Sequence, residues 1–370
     1  MADCCKECGV PKLLSMTQAW RDGCIIDTTS GSASLCIYEA SYPTALIKEL
    51  EDRLGIPLDR IVYLAGTHAA VKVLGVLYES HPAVGKLLFS APLHRMTERI
   101  LVKYGRAIGV ADVEIVERRR GEGAKVMIRD PFDLSNCLAI ISGILQIADG
   151  CQISFEILDG VAQHDNAPGG TPSDKDHYMI RFFPASAEES EDEAYQRLFA
   201  ENLTPKKTGG AELARCRKCS APSMFGERYA FDITNGLISK RAGGERTILM
   251  GVHGFNTIIR ELTWELGQPV SETFIDFERQ RLYAKLEGGS GSVDDIALRE
   301  EPLRTYLALR GFGYLKEMRD KDKGTSFVVE NAFIAPLVAG RLLAMWDREH
   351  GREGAYEFDV TNDNLHLLIY

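Results

Sequence analysis

Four apolar residues, Leu46, Ile47, Leu50 and Leu54, fall at i, i+1, i+4 and i+8, which is one stripe of a 3.6-residue period. The spacing predicts a helix from about Thr44 to Leu54, with Gly55 just past its end where a left-handed cap belongs. The stripe returns 212 residues later as Ile258, Ile259, Leu262 and Leu266, closed by Gly267, and Glu49 matches Glu261. Five positions in one register are hard to obtain by chance between unrelated helices. A second helical stretch, about Ile61 to Glu79, has a counterpart in Phe274 to Glu287.

The match resumes at an offset of 201. Val113 to Val116 pairs with Tyr314 to Glu317 as a strand, Gly123 with Gly324 in a hairpin turn, and Val126 to Ile128 with Phe327 to Val329 as the returning strand. Asp130-Pro131-Phe132 and Asn331-Ala332-Phe333 then form a matched N-cap region. Apolar helices run from there to about Ile147 and Trp346, followed by Gly150 and Gly351. Phe155-Glu156-Ile157 and Tyr356-Glu357-Phe358 are the next strands, and alternating strands His177 to Phe183 and His366 to Tyr370 close the halves.

The front of each half carries a CxxC, Cys5-Lys6-Glu7-Cys8 and Cys216-Arg217-Lys218-Cys219, with related surroundings. Pro11, Trp20, Asp22-Gly23 and Ile25 follow the first; Pro222, Phe231, Asn235-Gly236 and Ile238 follow the second. Asp-Gly and Asn-Gly are hairpin signals because these residues tolerate positive φ. Leu35 to Tyr38 is a further strand. The pattern predicts an α+β fold made by internal duplication of one module: residues 1–184, an acidic linker over 185–210 carrying one exposed helix, and a second module over 211–370. Gln163 to Asp176 is a loop inserted only in the first copy, and Gly288-Gly289-Ser290-Gly291-Ser292 is a flexible loop in the second. No Gly-Lys-Ser/Thr follows that loop, so it is not a phosphate cradle.

Composition narrows the function. A net charge of −10 argues against a nucleic-acid surface, and Arg118-Arg119-Arg120, flanked by Glu117 and Glu122, reads as a solvated hairpin. No apolar run reaches the length of a membrane span, and the N-terminus lacks a secretory signal. Nine cysteines with two CxxC pairs suit a reducing cytoplasm and a metal site rather than a disulfide framework.

Zinc takes four ligands in a tetrahedron, and one CxxC knuckle supplies two. Each half has one knuckle and no second pair nearby, so Cys5, Cys8, Cys216 and Cys219 are expected to form one structural site shared by the copies. The alternatives are an iron–sulfur or redox use of the dithiols, and no metal at all. Local completion by Cys24 and Cys36 fails in the second half, which has no counterpart cysteines; Cys4 could stand in as a ligand.

The remaining candidates have bland readings. Trp20 and Phe231 pack over the knuckles, and Cys137, among Leu138, Ile140 and Ile141, is a buried thiol. His177 and His366 open their strands at matching places and are structural histidines, with a haem or metal role as the alternative. His94 and His253 have no assigned role. No HExxH, GxSxG, GxxxxGK[ST] or complete GxGxxG occurs, and no catalytic constellation assembles.

The later part of each half resembles the vinyl-reductase-like domain, an α+β family related in fold to trafficking-particle subunits. The matching residues are Gly109, Glu114, Asp130, Phe132, Cys137, Gly143, Gly150, Glu156 and Phe182 in the first copy. In the second they are Gly313, Glu317, Asn331, Phe333, Gly340, Gly351 and Glu357. The knuckle and hairpin in front of each look like a zinc-ribbon element. The resemblance implies a cavity between helices and sheet for a small apolar or tetrapyrrole-like molecule, lined by the helices Cys137 to Ile147 and Pro336 to Trp346. The expected function is a non-catalytic binding, accessory or sensor role. An enzyme or redox subunit acting on an aromatic or tetrapyrrole substrate is the alternative, and an assembly scaffold a third. A tandem chain of this kind stands in for a homodimer, which predicts a monomer.

Overall fold

The computed structural model describes residues 3–80, 93–161, 176–186, 203–288, 298–321 and 324–370. The fold is α+β with three antiparallel sheets. It divides into two compact units whose limits differ from the expected modules 1–184 and 211–370. One holds Met1–Leu58, Glu201–Ala230 and Ser239–Tyr370; the other holds Asp59–Ala200 with Phe231–Ile238.

The first unit opens with the Cys5–Cys8 knuckle and the short helix α1 (Lys12–Thr17). The hairpin β1 (Gln18–Arg21) and β2 (Cys24–Asp27) follows, then β3 (Ala33–Glu39) and α2 (Tyr42–Leu54). Asp22 and Gly23 both take positive φ in the hairpin turn, and Gly55 caps α2 at φ 68, as their residue types allow. The front of the second half repeats this series as α6 (Ser223–Arg228), β8 (Tyr229–Asp232), β9 (Leu237–Lys240), β10 (Arg246–Gly251) and α7 (Val252–Leu266). The six strands form one sheet in the order β1-β2-β3-β10-β9-β8, with β3 and β10 antiparallel at its centre and Ile248 opposite Tyr38. Every residue of β3 is buried, so this strand is covered on both faces and shows no polar alternation.

The same unit continues with α8 (Gln268–Glu287), α9 (Glu300–Arg310), β11 (Tyr314–Lys321), β12 (Gly324–Glu330), α10 (Ala335–His350), β13 (Tyr356–Thr361) and β14 (Asn364–Ile369). The sheet order is β11-β12-β14-β13. Helix α10 is buried from Ala335 to Asp347. It packs on α8 so closely that a Cβ on Gly340 would stand 2.4 Å from the Ile275 carbonyl oxygen.

The second unit has α3 (Asp59–Ser80), α4 (His94–Ala107), β4 (Asp112–Arg119), β5 (Gly123–Arg129), α5 (Leu134–Asp149), β6 (Ile153–Val161) and β7 (His177–Pro184). Its sheet order, β4-β5-β7-β6, is that of β11-β12-β14-β13. Gly123 and Gly324 serve alike in the two sheets. A Cβ on either would lie 1.9 Å from a carbonyl oxygen of the neighbouring strand, that of Phe182 or Ile369.

Several expectations change. Helices α4 and α9 lie where no element was assigned. The cap of α5 is Asp133, whose carboxylate accepts from Asn136 N at 2.8 Å; Asp130, like Asn331, occupies a positive-φ turn instead. Arg118 is not solvated: it turns inward to Asp149 (2.7 Å) and Glu98 (3.0 Å), while Arg119 and Arg120 stay exposed, Arg119 with Glu117 and Glu122 beside it. His177 and His366 are both exposed and do not correspond. Ile128 pairs with Tyr178 and Val329 with Leu365, so the residue matching His366 is Met179. The helix expected within 185–210, most of the Gln163–Asp176 loop and most of the 288–292 loop fall outside the described residues. Among the described residues, no helix is long and apolar enough to cross a membrane.

Candidate metal centre

Each knuckle is built by one short backbone turn. The N–H of Cys5 donates to Val10 O (2.8 Å) and that of Gly9 to Cys5 O (2.9 Å); in the second knuckle Cys216 N donates to Ala221 O (2.8 Å) and Ser220 N to Cys216 O (2.9 Å). The turn needs one residue in the left-handed region, and Gly9 (φ 77) and Ser220 (φ 61) supply it. Pro11 and Pro222 then start the short helices with matching dihedrals, φ −55 and ψ 130 against φ −56 and ψ 127. Proline fits because the first helical N–H groups have no intrahelical partner.

The knuckles meet. Cys5 Sγ lies 3.8 Å from Cys216 Sγ and Cys8 Sγ 3.4 Å from Cys219 Sγ, and all four sulfurs fall within 4.8 Å of one another. A tetrahedron of sulfurs with zinc–sulfur bonds of about 2.3 Å has an edge of about 3.8 Å. The four residues are therefore close enough to hold a metal ion, and the donor set suits zinc. Cys5 and Cys216 are buried; Cys8 and Cys219 are half-buried. The backbone N–H groups of Cys8 and Glu7 point at the Cys5 thiolate and pull its pKa down to about 6, whereas burial pushes Cys8 and Cys219 up. A dication at the centre would supply the charge that the outer pair needs to ionise.

The supports come from both halves. Trp20 sits with its ring centroid 5.0 Å from that of Phe225 and donates its indole N–H to Leu309 O at 2.9 Å. Arg215, next to Cys216, donates to Trp20 O at 2.7 Å and to Ser220 O at 3.0 Å. Helix α6 touches the first knuckle at Gly226, where a Cβ would stand 2.1 Å from Cys8 O. Gly226→Ala is expected to push α6 off the knuckle, cost about 1–3 kcal/mol as an overpacking change, and weaken metal retention against a chelator. Unchanged zinc release kinetics would show that the contact does not matter to the site.

The other cysteines stay apart. Cys24 and Cys36 are buried against the carbonyls of Asn331 (3.8 Å) and Met250 (3.6 Å), which leaves no local completion of either knuckle. Cys4 lies outside the four-sulfur group and bridges to Pro11 through its backbone. Cys137 is a buried thiol facing Val110 O.

A second group of charges escaped the sequence reading. Glu39, at the end of β3, is 1% exposed and faces Lys240 (3.1 Å), Lys285 (3.0 Å), Arg281 (3.1 Å), Arg310 (3.8 Å) and Arg341 (4.0 Å). Burial raises its pKa, but Arg310, Arg341, Lys240 and Lys285 outweigh that and hold it well below the usual carboxylate range. These residues lie on five separate elements, so no spacing rule could have gathered them.

Comparison of the chain with protein-family models, with curated proteins and with solved structures returns no match.

Proposed function

We propose that this chain is a tandem pair of α+β modules stapled by one structural zinc, and that it serves as a small-molecule binding or accessory protein. The meeting of the two CxxC knuckles, with sulfur separations of 3.4 and 3.8 Å, carries the zinc assignment. Cys5, Cys8, Cys216 and Cys219 would hold the ion, and it would contribute folding free energy rather than an open coordination position, as four-thiolate sites do. The duplication draws support from the shared strand order of two sheets, the paired glycines Gly123 and Gly324, and the matching knuckle turns. A shared site of this kind makes the tandem chain a pseudo-dimer able to act as a monomer. Nine free thiols accord with a reducing compartment such as the cytoplasm.

The binding role draws on the vinyl-reductase-like pattern of the later part of each half, which places the ligand between the long helices and the four-stranded sheet. Metal analysis and native mass spectrometry of the protein purified anaerobically from its own source test both parts. About one zinc per chain is expected, together with a bound small molecule. Less than about half an equivalent after dialysis would remove the zinc reading, and a bare chain in the native spectrum the binding one.

A further inference from the structure

In the core of the first unit the helix pair α8 and α10 carries charge where its counterpart carries none. In the second unit Gly66 of α3 meets Ala139 of α5, with a built Cβ 2.8 Å from that of Ala139. The matching contact, at the offsets of 212 and 201, is Glu278 of α8 against Gly340 of α10, again at 2.8 Å. The residue after Ala139 is Ile140; the residue after Gly340 is Arg341. One copy thus keeps an apolar helix contact while the other buries a Glu278–Arg341 ion pair at 2.5 Å, each partner with 1% side-chain exposure. Such a pair does not improve on apolar packing, so stability gives no reason for it.

Its surroundings are polar and unfinished. The rings of Tyr38 and Tyr42 stack at 4.1 Å, and the Arg341 guanidinium lies 5.1 Å over the Tyr38 ring. Both phenol hydroxyls are fully buried; that of Tyr38 makes no hydrogen bond, and that of Tyr42 faces the Glu278 carboxylate. Tyr42 approaches Glu278 closely enough to influence its ionisation without reaching hydrogen-bond geometry. Buried polar atoms of this kind are normally satisfied. Around them, the single carboxylate of Glu39 faces five cations, of which Glu245 and Glu278 also engage three. The group is not sealed: Arg281 and Lys285 keep 23% and 18% of their side-chain exposure.

We infer that the Tyr38, Tyr42, Glu278 and Arg341 cluster, flanked by the cations around Glu39, is a binding site for a small oxyanion, a carboxylate or a phosphate. The phenol O–H groups donate to the anion, and the excess of guanidinium and ammonium groups balances its charge. This site lies at the six-stranded sheet, apart from the place proposed above beside the four-stranded sheet, so it does not rest on that reading, and the zinc site also stands or falls separately.

Isothermal titration of the full, zinc-loaded chain with inorganic phosphate and, separately, with succinate, in chloride buffer, tests the assignment and tells the two sources apart. Saturable binding of one of them is expected. Tyr38→Phe/Tyr42→Phe keeps both rings and is expected to weaken it about tenfold or more by deleting charge-assisted hydrogen bonds. Glu278→Gln, which frees Arg341 from a competing carboxylate, is expected to tighten it. Zinc content and tryptophan fluorescence confirm that each variant is folded. Absence of binding by both anions at millimolar concentration overturns the inference, as does an affinity that neither variant changes. A chain that carries an apolar adduct and ignores both anions overturns the oxyanion assignment alone and leaves the binding role intact.

Discussion

Replacing Cys216 with alanine is expected to empty the metal site and destabilise the first unit by about 3–5 kcal/mol, among the largest single-residue effects in the chain. The four cysteines come from residues 5–8 and 216–219, more than 200 positions apart, so an ion held there would close a long loop as well as complete a coordination shell. Removing one thiolate leaves three sulfurs in contact without the charge that holds them together. Cys36→Ala is the control: Cys36 is equally buried but its thiol donates to the Met250 carbonyl and lies outside the four-sulfur group. It should retain a full equivalent of zinc and lose only the packing of a small side chain. All three tryptophans, Trp20, Trp264 and Trp346, belong to the first unit, so urea unfolding followed by tryptophan fluorescence reads that unit alone. Equal zinc content and equal midpoints for Cys216→Ala and Cys36→Ala would dispose of the shared site.

Glu39→Gln is expected to cost about 3–5 kcal/mol at neutral pH, because it leaves several buried cations without their common carboxylate. The effect depends on pH in a defined direction. The folded-state pKa of Glu39 lies below its unfolded value, so the stabilisation is present above the ordinary carboxylate range of about 4.3 and is lost as pH falls through the folded value. The difference between the original chain and Glu39→Gln should therefore be full at pH 7 and shrink as the pH falls below about 4. Urea midpoints by tryptophan fluorescence at pH 7, 5 and 3 check this. A difference that does not change with pH would mean that packing, and not the carboxylate charge, is what the substitution removes.

Much of the local structure was legible. The stripe Leu46, Ile47, Leu50, Leu54 and the terminal Gly55 gave α2 within two residues, because helix period and a left-handed cap are both local demands. Gly123 and Gly324 were matched from sequence alone, and the structure shows the close backbone approach that excludes any side chain there. Helix α9 shows its period less plainly, although Leu303, Tyr306, Leu307 and Arg310 lie at i, i+3, i+4 and i+7. An arginine at the last of these positions hides the stripe, and Arg310 is buried because it reaches Ile37 O and Glu39. Pro336 to Trp346 read as an apolar helix lining a cavity; it is buried from Ala335 to Asp347, and Arg341 within it changes the chemistry it presents.

The opening CxxC shows where each source of information stops. The sequence determined that there are two knuckles, that each lacks a local second pair, and that their surroundings repeat, because turn chemistry and ligand type are properties of short segments. Only the tertiary structure decided that Cys5 faces Cys216 and Cys8 faces Cys219, and that Cys4, Cys24 and Cys36 stay apart. It also decided that one buried carboxylate collects five cations from four elements beyond its own strand. Those outcomes depend on β3 pairing with β10 and on α8 packing against α10, contacts between segments hundreds of residues apart for the first and dozens for the second. Spacing along a chain carries no record of such distances, whereas burial makes an unpaired charge costly enough that the fold must settle them.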